Sequence, residues 1–285
     1  MSAGRCVSVI MPVWQPRLAW LEGAIRSALA SDVVLELVLV DDGCDPPVVD
    51  SAPRDSRIRN VRIPHGGESA ARNAGIAAAQ GMFIRFADCD DLTQPGSLDR
   101  LVTRARGYDG IVFGDTQVCA PDLTPLRTIV SPLERPSAAD CVVGRFHARA
   151  PSMLFPRSLA LMVGSWETSM ALCADWDWVL RALERAPAVR EPGTVTIYRR
   201  HIGSTTGAAA VADGAAARAR IVAAYFDRNP ELAGTALEHA AWTALHVDSA
   251  RAHAHARQWR AAARHALQLA ALQARTRVRR SAAQA

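Results

Sequence analysis

Residues 82–91 read MFIRFADCDD, an apolar run that ends in a tight group of carboxylates. Residues 82–87 have the length and composition of a buried strand, and Asp88, Asp90 and Asp91 follow it. Like charges this close raise one another's pKa unless a cation neutralises them, and such oxygen clusters suit Mg²⁺ or Mn²⁺. Ligands bind at the carboxyl ends of strands in α/β sheets, so the cluster is placed to hold a metal against a phosphorylated substrate. The alternative interpretation is a solvated acidic turn that caps the next helix.

The segments around this run alternate between strand and helix patterns. Before residue 110, the sequence predicts strands at 7–13, 35–40, 58–63 and 82–87 and helices at 18–30, 69–80 and 95–106. Such alternation indicates parallel strands joined by crossover helices. We therefore expect an α/β protein with a Rossmann-like, mostly parallel sheet flanked by helices.

After residue 110 the pattern becomes less regular. The later candidates are strands at 110–114, 116–119, 127–130, 152–155 and 194–200 and a helix at 175–185. From about Ala208 the chain is Ala-rich, with helices predicted at 231–247 and 254–274. We place a boundary near residue 207, so that 1–207 forms the α/β domain and 208–285 forms an α-helical C-terminal appendage.

Charge and cysteine content narrow the class of protein. All 33 basic residues are Arg, and eight of them lie in residues 251–285, which hold no Asp or Glu. The six Cys form no Cys-x-x-Cys pair, which disfavours a zinc site or a disulfide framework. We see no signal peptide and no apolar stretch of about 18 residues, and we expect a cytoplasmic protein with reduced thiols.

Two further acids follow the second predicted strand. Asp41 and Asp42 would lie at the same sheet edge as the cluster at 88–91 if the strands are parallel. A carboxylate there can accept a hydrogen bond from a nucleobase or a ribose hydroxyl. The alternative is turn chemistry, because Asp-Asp-Gly favours a turn.

A glycine-bearing loop, HGGESAARNAG at 65–75, enters the second helix. Arg72 lies early in that helix, where the dipole disfavours a cation, so we expect it to face a negative group such as a diphosphate. The chain has no Gly-x-Gly-x-x-Gly fingerprint and no Walker loop, which makes dinucleotide and P-loop interpretations weak.

Two later motifs carry candidate site residues. Asp175 fits as an N-cap, and it can equally serve as a general base beside an aromatic ring. Trp176 is interpreted either as a platform for a sugar face or as core packing. His201 ends the predicted strand at 194–200 and is either a metal or phosphate contact or a surface residue.

Taken in order, these motifs resemble glycosyltransferase family 2, the inverting enzymes of GT-A fold, over roughly residues 5–206. The matching runs are VSVIMPV at 7–13, VDDG at 40–43, GESAARNAG at 67–75, DCDD at 88–91, DWD at 175–177 and YRRH at 198–201. The resemblance implies transfer from a nucleoside-diphosphate sugar, with a UDP-sugar as the expected donor and a glycan, a glycolipid or a small molecule as acceptor. It also implies Mn²⁺ or Mg²⁺ as cofactor.

The resemblance implies a role for each matching position. The implied nucleotide-sugar contacts are Pro12, Val13, Asp41, Asp42, Arg72 and Asp88. Asp42 would read the base, Arg72 would lie near the diphosphate and Asp88 would face the ribose. Asp90 is the implied metal ligand, with His201 as a further metal or diphosphate contact.

Asp175 is the implied catalytic base, and Asp91 and Trp176 are implied supporting residues; Asp91 is alternatively a helix cap. One departure from the family pattern stands out, because Ala174 replaces the Glu of a Glu-Asp pair. This loss keeps a non-catalytic sugar-nucleotide-binding or scaffold protein as an alternative. A nucleotidyltransferase is disfavoured, since PVWQP at 12–16 replaces the Gly-rich basic loop of that class.

The basic C-terminal tail allows two interpretations. It is either a helical appendage packed on the catalytic domain or on a second subunit, or a basic surface that contacts anionic lipid at the inner face of the cell membrane. Nucleic acid is not an expected partner, because no basic and aromatic array accompanies the charge. A homodimer is compatible with the first interpretation.

Overall fold

The computed structural model describes residues 4–147, 149–201, 211–255 and 257–284. The chain divides into two compact units. The first, here called the sheet unit, comprises Met1–Ala138 and His147–His201, and the second, the helical unit, comprises Ala139–Phe146 and Ile202–Ala285. The boundary predicted near residue 207 lies outside the described residues and stays a prediction.

The N-terminal half of the sheet unit is a parallel sheet with crossover helices. Its strands are β1 (Val7–Val13), β2 (Val34–Asp42), β3 (Ile58–Ile63) and β4 (Phe83–Phe86), and its helices are α1 (Leu18–Leu29) and α2 (Glu68–Ala78). The strands lie in the order β3-β2-β1-β4, and each neighbouring pair is parallel. β1 and β2 are buried almost throughout, as expected for parallel strands covered on both faces.

The later elements complete a mixed sheet. The strands are β5 (Leu92–Thr93), β6 (Ile111–Cys119), β7 (Pro125–Ile129), β8 (Met153–Pro156) and β9 (Ala188–Arg199). The helices are α3 (Ser97–Ala105), α4 (Ala138–Val142), α5 (Arg157–Val163) and α6 (Ala174–Leu183). Short 3₁₀ turns cover Val48–Asp50 and Ala150–Ser152.

The pairing of these later strands differs from that of the first four. β8 pairs antiparallel with both β4 and β6, β9 pairs parallel with β6 and antiparallel with β5, and β7 pairs antiparallel with β6. The expected parallel arrangement thus describes the first four strands, and among the later antiparallel pairs β6 and β7 are joined by a short turn. The separately predicted strands at 110–114 and 116–119 form the single strand β6.

The helical unit contains α7 (Val211–Arg228), α8 (Ala236–His255) and α9 (Trp259–Gln284), with a 3₁₀ turn at Pro230–Leu232. The helix predicted at 231–247 begins later, at Ala236, because the 3₁₀ turn is followed by Gly234 with φ +74°. All six Cys are free, in agreement with the expectation of reduced thiols.

Two groups of buried side chains position the candidate site. A continuous apolar core joins β1, β2, α1 and α3. Four rings, here called the aromatic cluster, pack together between β4, β8 and α6: Phe86, Phe155, Trp166 and Trp178. Trp166 and Trp178 stack with centroids 5.1 Å apart, and Trp178 Nε1 donates to the carbonyl of Gly164 at 2.9 Å. The cluster fixes α6 against the end of β4.

Candidate active site

The carboxyl ends of β2 and β4 lie at the same edge of the sheet, because both strands run parallel to β1. Asp41 and Asp42 are the last residues of β2, and Asp88 follows β4 after one residue. The sequence therefore placed the two acidic groups at the correct edge. Asp41 and Asp42 belong to the strand, which extends two residues beyond the predicted end at Val40.

Asp91 is buried and Asp88 is partly buried, with its side chain 29% exposed, and both have a raised pKa. Desolvation raises the pKa of Asp88, opposed by Arg72, while the charges of Glu68 and Asp90 add to the increase. Desolvation also raises the pKa of Asp91, and Asp88 and Asp90 raise it further. The surrounding protein therefore does not fully stabilise the ionised form of these carboxylates.

Asp91 does not cap a helix, which corrects one of its two predicted roles. Its Oδ1 accepts a hydrogen bond from the Arg199 N–H at 2.8 Å, and α3 begins only at Ser97. Arg199 Nε also donates to the carbonyl of Asp90 at 2.9 Å. These two bonds tie the end of β9 to the cluster and bring His201 to it.

Asp90 and His201 are in direct contact. His201 Nε2 lies 2.8 Å from Asp90 Oδ2, and the His201 ring packs 4.8 Å from the ring of Trp20. Among the described residues, no group of three or more His, Cys, Asp and Glu side chains is arranged to hold a metal ion. The donor set that these two residues present is one imidazole nitrogen and one carboxylate.

Arg72 faces negative groups, as expected, but the groups seen here belong to the protein. Arg72 Nη2 donates to Asp88 Oδ1 at 3.1 Å and forms an ion pair with Glu68 Oε1. Its guanidinium carbon lies 4.4 Å from the ring centroid of Trp166. The side chain is only 6% exposed, and its Nε has no hydrogen-bond partner.

Asp175 lies in the first turn of α6, near Arg72, but it is not the N-cap that the sequence suggested. Cys173 occupies that position with φ +62°. Asp175 Oδ1 instead accepts the N–H of Trp176 at 2.8 Å. Desolvation raises the pKa of Asp175, Arg72 lowers it and Glu68 raises it. Trp176 is partly buried, whereas Trp178 is the tryptophan of this helix that enters the aromatic cluster.

The two acids of β2 are held by backbone groups. Asp41 accepts the N–H groups of Cys44 at 2.7 Å and Val48 at 3.1 Å, and it pairs with Arg62 at 2.8 Å. Burial alone would raise the pKa of Asp41, but these hydrogen bonds outweigh it and lower the pKa below its ordinary value.

Asp42 organises the loop before α2. Its carboxylate accepts the N–H of Gly66 at 2.8 Å and of Gly67 at 3.0 Å, and lies 2.9 Å from His65 Nδ1. Gly67 has φ +85°, a conformation that glycine adopts without strain. Pro12 and Val13 end β1 beside β2, and the Val13 carbonyl accepts the Cys44 thiol at 3.4 Å.

Three charged residues near the site were not predicted from the sequence. Glu68 begins α2 and pairs with Arg72, while Arg149 lowers the pKa of both Asp91 and Asp175. Arg85 is buried within β4 and donates to Thr93 and Thr196 at 3.0 and 3.2 Å. An Arg inside an otherwise apolar strand was the one available signal, because such a charge needs buried partners.

The parallel half of the sheet and the acidic site at its carboxyl edge define an α/β protein of GT-A fold. The chain belongs to glycosyl transferase family 2, whose match covers residues 8–150, half of the chain. The resemblance recognised in the sequence is thereby confirmed at the level of the family.

Several curated proteins are similar over parts of the chain. The uncharacterized glycosyltransferase EpsJ of Bacillus subtilis (strain 168) is 38% identical over 104 residues, covering 35% of this chain and 30% of EpsJ. The succinoglycan biosynthesis protein ExoO of Rhizobium meliloti (strain 1021) is 42% identical over 87 residues, covering 29% of this chain and 25% of ExoO. The matches thus span less than a third of either relative. Uncharacterized protein MT1568 of Mycobacterium tuberculosis (strain CDC 1551 / Oshkosh) is 27% identical, over 70% of this chain and 68% of MT1568.

Solved structures share the fold at low sequence identity. The crystal structure of S. aureus TarS superimposes with a TM-score of 0.53 and 13% identity, covering 87% of this chain and 49% of that chain. The TarS 1–349 fragment in complex with UDP-GlcNAc gives a TM-score of 0.57 and 14% identity, covering 87% and 81%. Within the described parts of the chain, no helix has the length and hydropathy needed to span a bilayer.

Proposed function

We propose that the protein is a metal-dependent inverting glycosyltransferase that moves a sugar from a nucleoside-diphosphate sugar to an acceptor hydroxyl. The observation that carries this proposal is the convergence of Asp175, Arg72 and Asp88 at the carboxyl edge of the sheet, linked by Arg72. A desolvated carboxylate beside a buried cation supplies both a base and charge stabilisation, which sugar transfer to a hydroxyl requires.

We assign binding of the donor's nucleobase to the region around Asp42. Trp14 is 55% exposed and stacks on His65 with centroids 4.7 Å apart, and His65 in turn contacts Asp42. An exposed aromatic face beside a carboxylate suits a nucleobase. Because TarS has been crystallised with UDP-GlcNAc, that nucleotide sugar is the first donor to test.

The acidic cluster fits a divalent cation. The raised pKa of Asp88 and Asp91, whose ionised forms the surrounding protein does not fully stabilise, favours a cation, and Asp90 and His201 present adjacent donor atoms. Mg²⁺ is commonly held by one or two protein ligands together with substrate phosphates, so a two-residue set is adequate. When bound, Mn²⁺ or Mg²⁺ would offset the charge that develops on the leaving diphosphate.

Asp175 is assigned as the general base. Its raised pKa brings its basicity closer to that of the acceptor than an ordinary Asp would offer. Asp175 takes the proton of the acceptor hydroxyl, whose oxygen attacks the anomeric carbon from the face opposite the diphosphate. The configuration at that carbon is therefore inverted, while Arg72 stabilises the departing group.

Ala174 favours one alternative, a catalytically impaired protein that binds sugar nucleotides. One simple measurement distinguishes a transferase from a binding protein: the release of nucleoside diphosphate from UDP-, GDP- and dTDP-sugars with Mn²⁺. The transferase releases diphosphate from at least one donor and is stabilised by that donor in thermal shift. Stabilisation without release identifies a binding protein, and neither effect with any donor contradicts the proposed function.

The acceptor is assigned only by class, as a glycan, a glycolipid or a small-molecule hydroxyl. ExoO is a succinoglycan biosynthesis protein, which makes a cell-envelope polysaccharide the first acceptor to examine. A lipid-linked acceptor would place the enzyme at the inner face of the cell membrane. Arg275, Arg277, Arg279 and Arg280 would then contact anionic lipid.

Co-sedimentation with phosphatidylglycerol vesicles tests this location. We expect salt-sensitive binding of the full chain and weaker binding after deletion of residues 275–285. Equal sedimentation of the full chain and the deletion variant, or no sedimentation of either, contradicts the proposed membrane contact. Sedimentation velocity of the same samples tests the alternative that the helical unit joins two copies in a homodimer.

A further inference from the structure

Ala174 leaves the base without the neighbouring carboxylate that a Glu at this position would supply. A different carboxylate, that of Glu68, acts electrostatically on Asp175 and raises its pKa. Glu68 is the first residue of α2, and its side chain is 51% exposed. It therefore reaches solvent from a helix other than the one that carries Asp175.

Glu68 is held in place by Arg72, four residues later on the same helix. Arg72 Nη2 is shared between Glu68 Oε1 and Asp88 Oδ1. The movement of the Arg72 guanidinium is restricted, because the side chain is buried and the guanidinium carbon packs 4.4 Å from the Trp166 ring centroid. Glu68 is thus oriented by a cation that is itself fixed on three sides.

The Trp166 ring connects the Glu68–Arg72 ion pair to the proposed base, Asp175. Trp166 stacks against Trp178 at 5.1 Å, and Trp178 lies three residues after Asp175 on α6. Positions three apart on a helix share one face. Among the described residues, Asp175 forms no ion pair: Arg72 pairs with Glu68 and Asp88, and it acts on Asp175 only through its charge, which lowers the pKa of Asp175.

We propose that Glu68 supplies, from helix α2, the second carboxylate that Ala174 does not provide, and that it acts as a positioning residue for the base Asp175. This inference rests on the proposed function and goes beyond it by assigning a residue outside the family's Glu-Asp position. Glu68 keeps Arg72 from pairing with Asp175, and its negative charge keeps Asp175 a stronger base.

Removal of the carboxylate tests the assignment. In Glu68→Gln, we expect Arg72 to turn toward Asp175, and kcat for nucleotide release from the active donor to fall by about 10- to 100-fold. The donor Kd is expected to stay unchanged, because Arg72 keeps its bond to Asp88 and its packing on Trp166. The acid limb of the pH profile moves to lower pH, since Gln no longer raises the pKa of Asp175.

Glu22→Gln is the matched control. Glu22 forms the same kind of ion pair with Arg26, also four residues apart, and it is 52% exposed, but it lies on α1. We expect parent kinetics from this variant. Equal losses in the two variants, or parent kinetics and an unshifted pH profile in Glu68→Gln, overturn the assignment.

Restoring a carboxylate at residue 174 separates positioning from a general structural role. Ala174 is the first residue of α6, where Glu favours the helix dipole. We expect Glu68→Gln with Ala174→Glu to recover most of the parent kcat. A folded double variant that stays as slow as Glu68→Gln contradicts the proposal.

A titration keeps this inference distinct from the proposed function. In protein labelled with ¹³C-carboxyl Asp, the Asp175 signal is assigned from its loss in Asp175→Asn. We expect a lower pKa of Asp175 in Glu68→Gln than in the parent. If the parent releases no nucleotide from any donor, the proposed function fails. Whatever the activity, an Asp175 pKa that is unchanged in Glu68→Gln overturns the link between Glu68 and Asp175.

Discussion

The acids that end β2 and those that follow β4 lie at the same sheet edge, separated by β1, yet their surroundings differ. Asp41 and Asp42 accept backbone N–H groups from the loops beside them, and the bonds to Asp41 outweigh the effect of burial and lower its pKa. Asp88 and Asp91 are desolvated next to other carboxylates, and their pKa is raised.

This difference shows that residue type alone does not predict the electrostatic state of an Asp at this sheet edge. The β2 acids are satisfied by the chain itself, so they organise loops whether or not a ligand is present. The pKa values of Asp88 and Asp91, which follow β4, are raised by desolvation and by neighbouring carboxylates, and such perturbed groups cluster at functional sites.

The largest effect is expected at Asp175, on the β4 side of the site. Asp175→Asn keeps the shape of the side chain but cannot accept a proton, so we expect kcat to fall by about 10²- to 10⁴-fold with donor affinity unchanged. Nucleotide release and calorimetric donor titration provide the measurement. Asp227→Asn, an exposed change in the helical unit, is the control, and parent activity in Asp175→Asn would reject Asp175 as the base.

The next effect concerns metal binding by the β4 group. Asp90→Ala removes one of the two adjacent donors, and we expect it to abolish the Mn²⁺-dependent increase in Tm and in donor binding. Asp42→Asn is the comparison from β2 and is expected to keep the Mn²⁺ response. A Mn²⁺ shift that survives in Asp90→Ala removes this residue from the metal site.

The third effect concerns folding and falls on the β2 side. Asp41→Ala leaves the N–H groups of Cys44 and Val48 without their acceptor, and each buried unsatisfied group costs about 1–3 kcal/mol. We expect a lower free energy of unfolding in urea. An unchanged urea midpoint would mean that water replaces the carboxylate and that the loop does not depend on Asp41.

The smallest effects are opposite changes in the pH dependence of stability, measured with chelator present. Asp175 has a raised pKa in the folded protein, so its contribution decreases as pH rises above the unfolded pKa of about 3.8. Asp41 has a lowered pKa, so its contribution is present above that value and is lost as pH falls.

We therefore expect Asp175→Asn to make stability rise more steeply with pH and Asp41→Asn to make it rise less steeply. Urea unfolding at a series of pH values measures both slopes. Slopes that change in the same direction would contradict the division between the two acidic groups.

Much of the parallel half of the fold was predictable, because its signals are local. The strands at 7–13 and 58–63 were placed to the residue, and β4 and α2 to within two residues at each end. Apolar runs and alternating patterns are properties of the segment itself, and parallel order then brings their carboxyl ends to one edge.

The rest depends on contacts between distant segments. The antiparallel pairing of β8 with both β4 and β6 cannot be predicted from the sequence of any single segment. The alternative interpretation of Asp175 as a helix cap was wrong, because Cys173 occupies that position in a left-handed conformation for which its residue type gives no signal. Glu68 was passed over since an acidic residue in a first helical turn needs no further explanation.

The stacked indoles of Trp166 and Trp178 have a spectroscopic consequence. Their planes are 6° from parallel at 5.1 Å, and Arg72 lies against the Trp166 ring. Two such chromophores couple optically, and a guanidinium beside one of them changes its emission. A ligand that moves Arg72 away from Trp166 would therefore alter the fluorescence of this pair, and that change would report binding at the proposed donor site without a label.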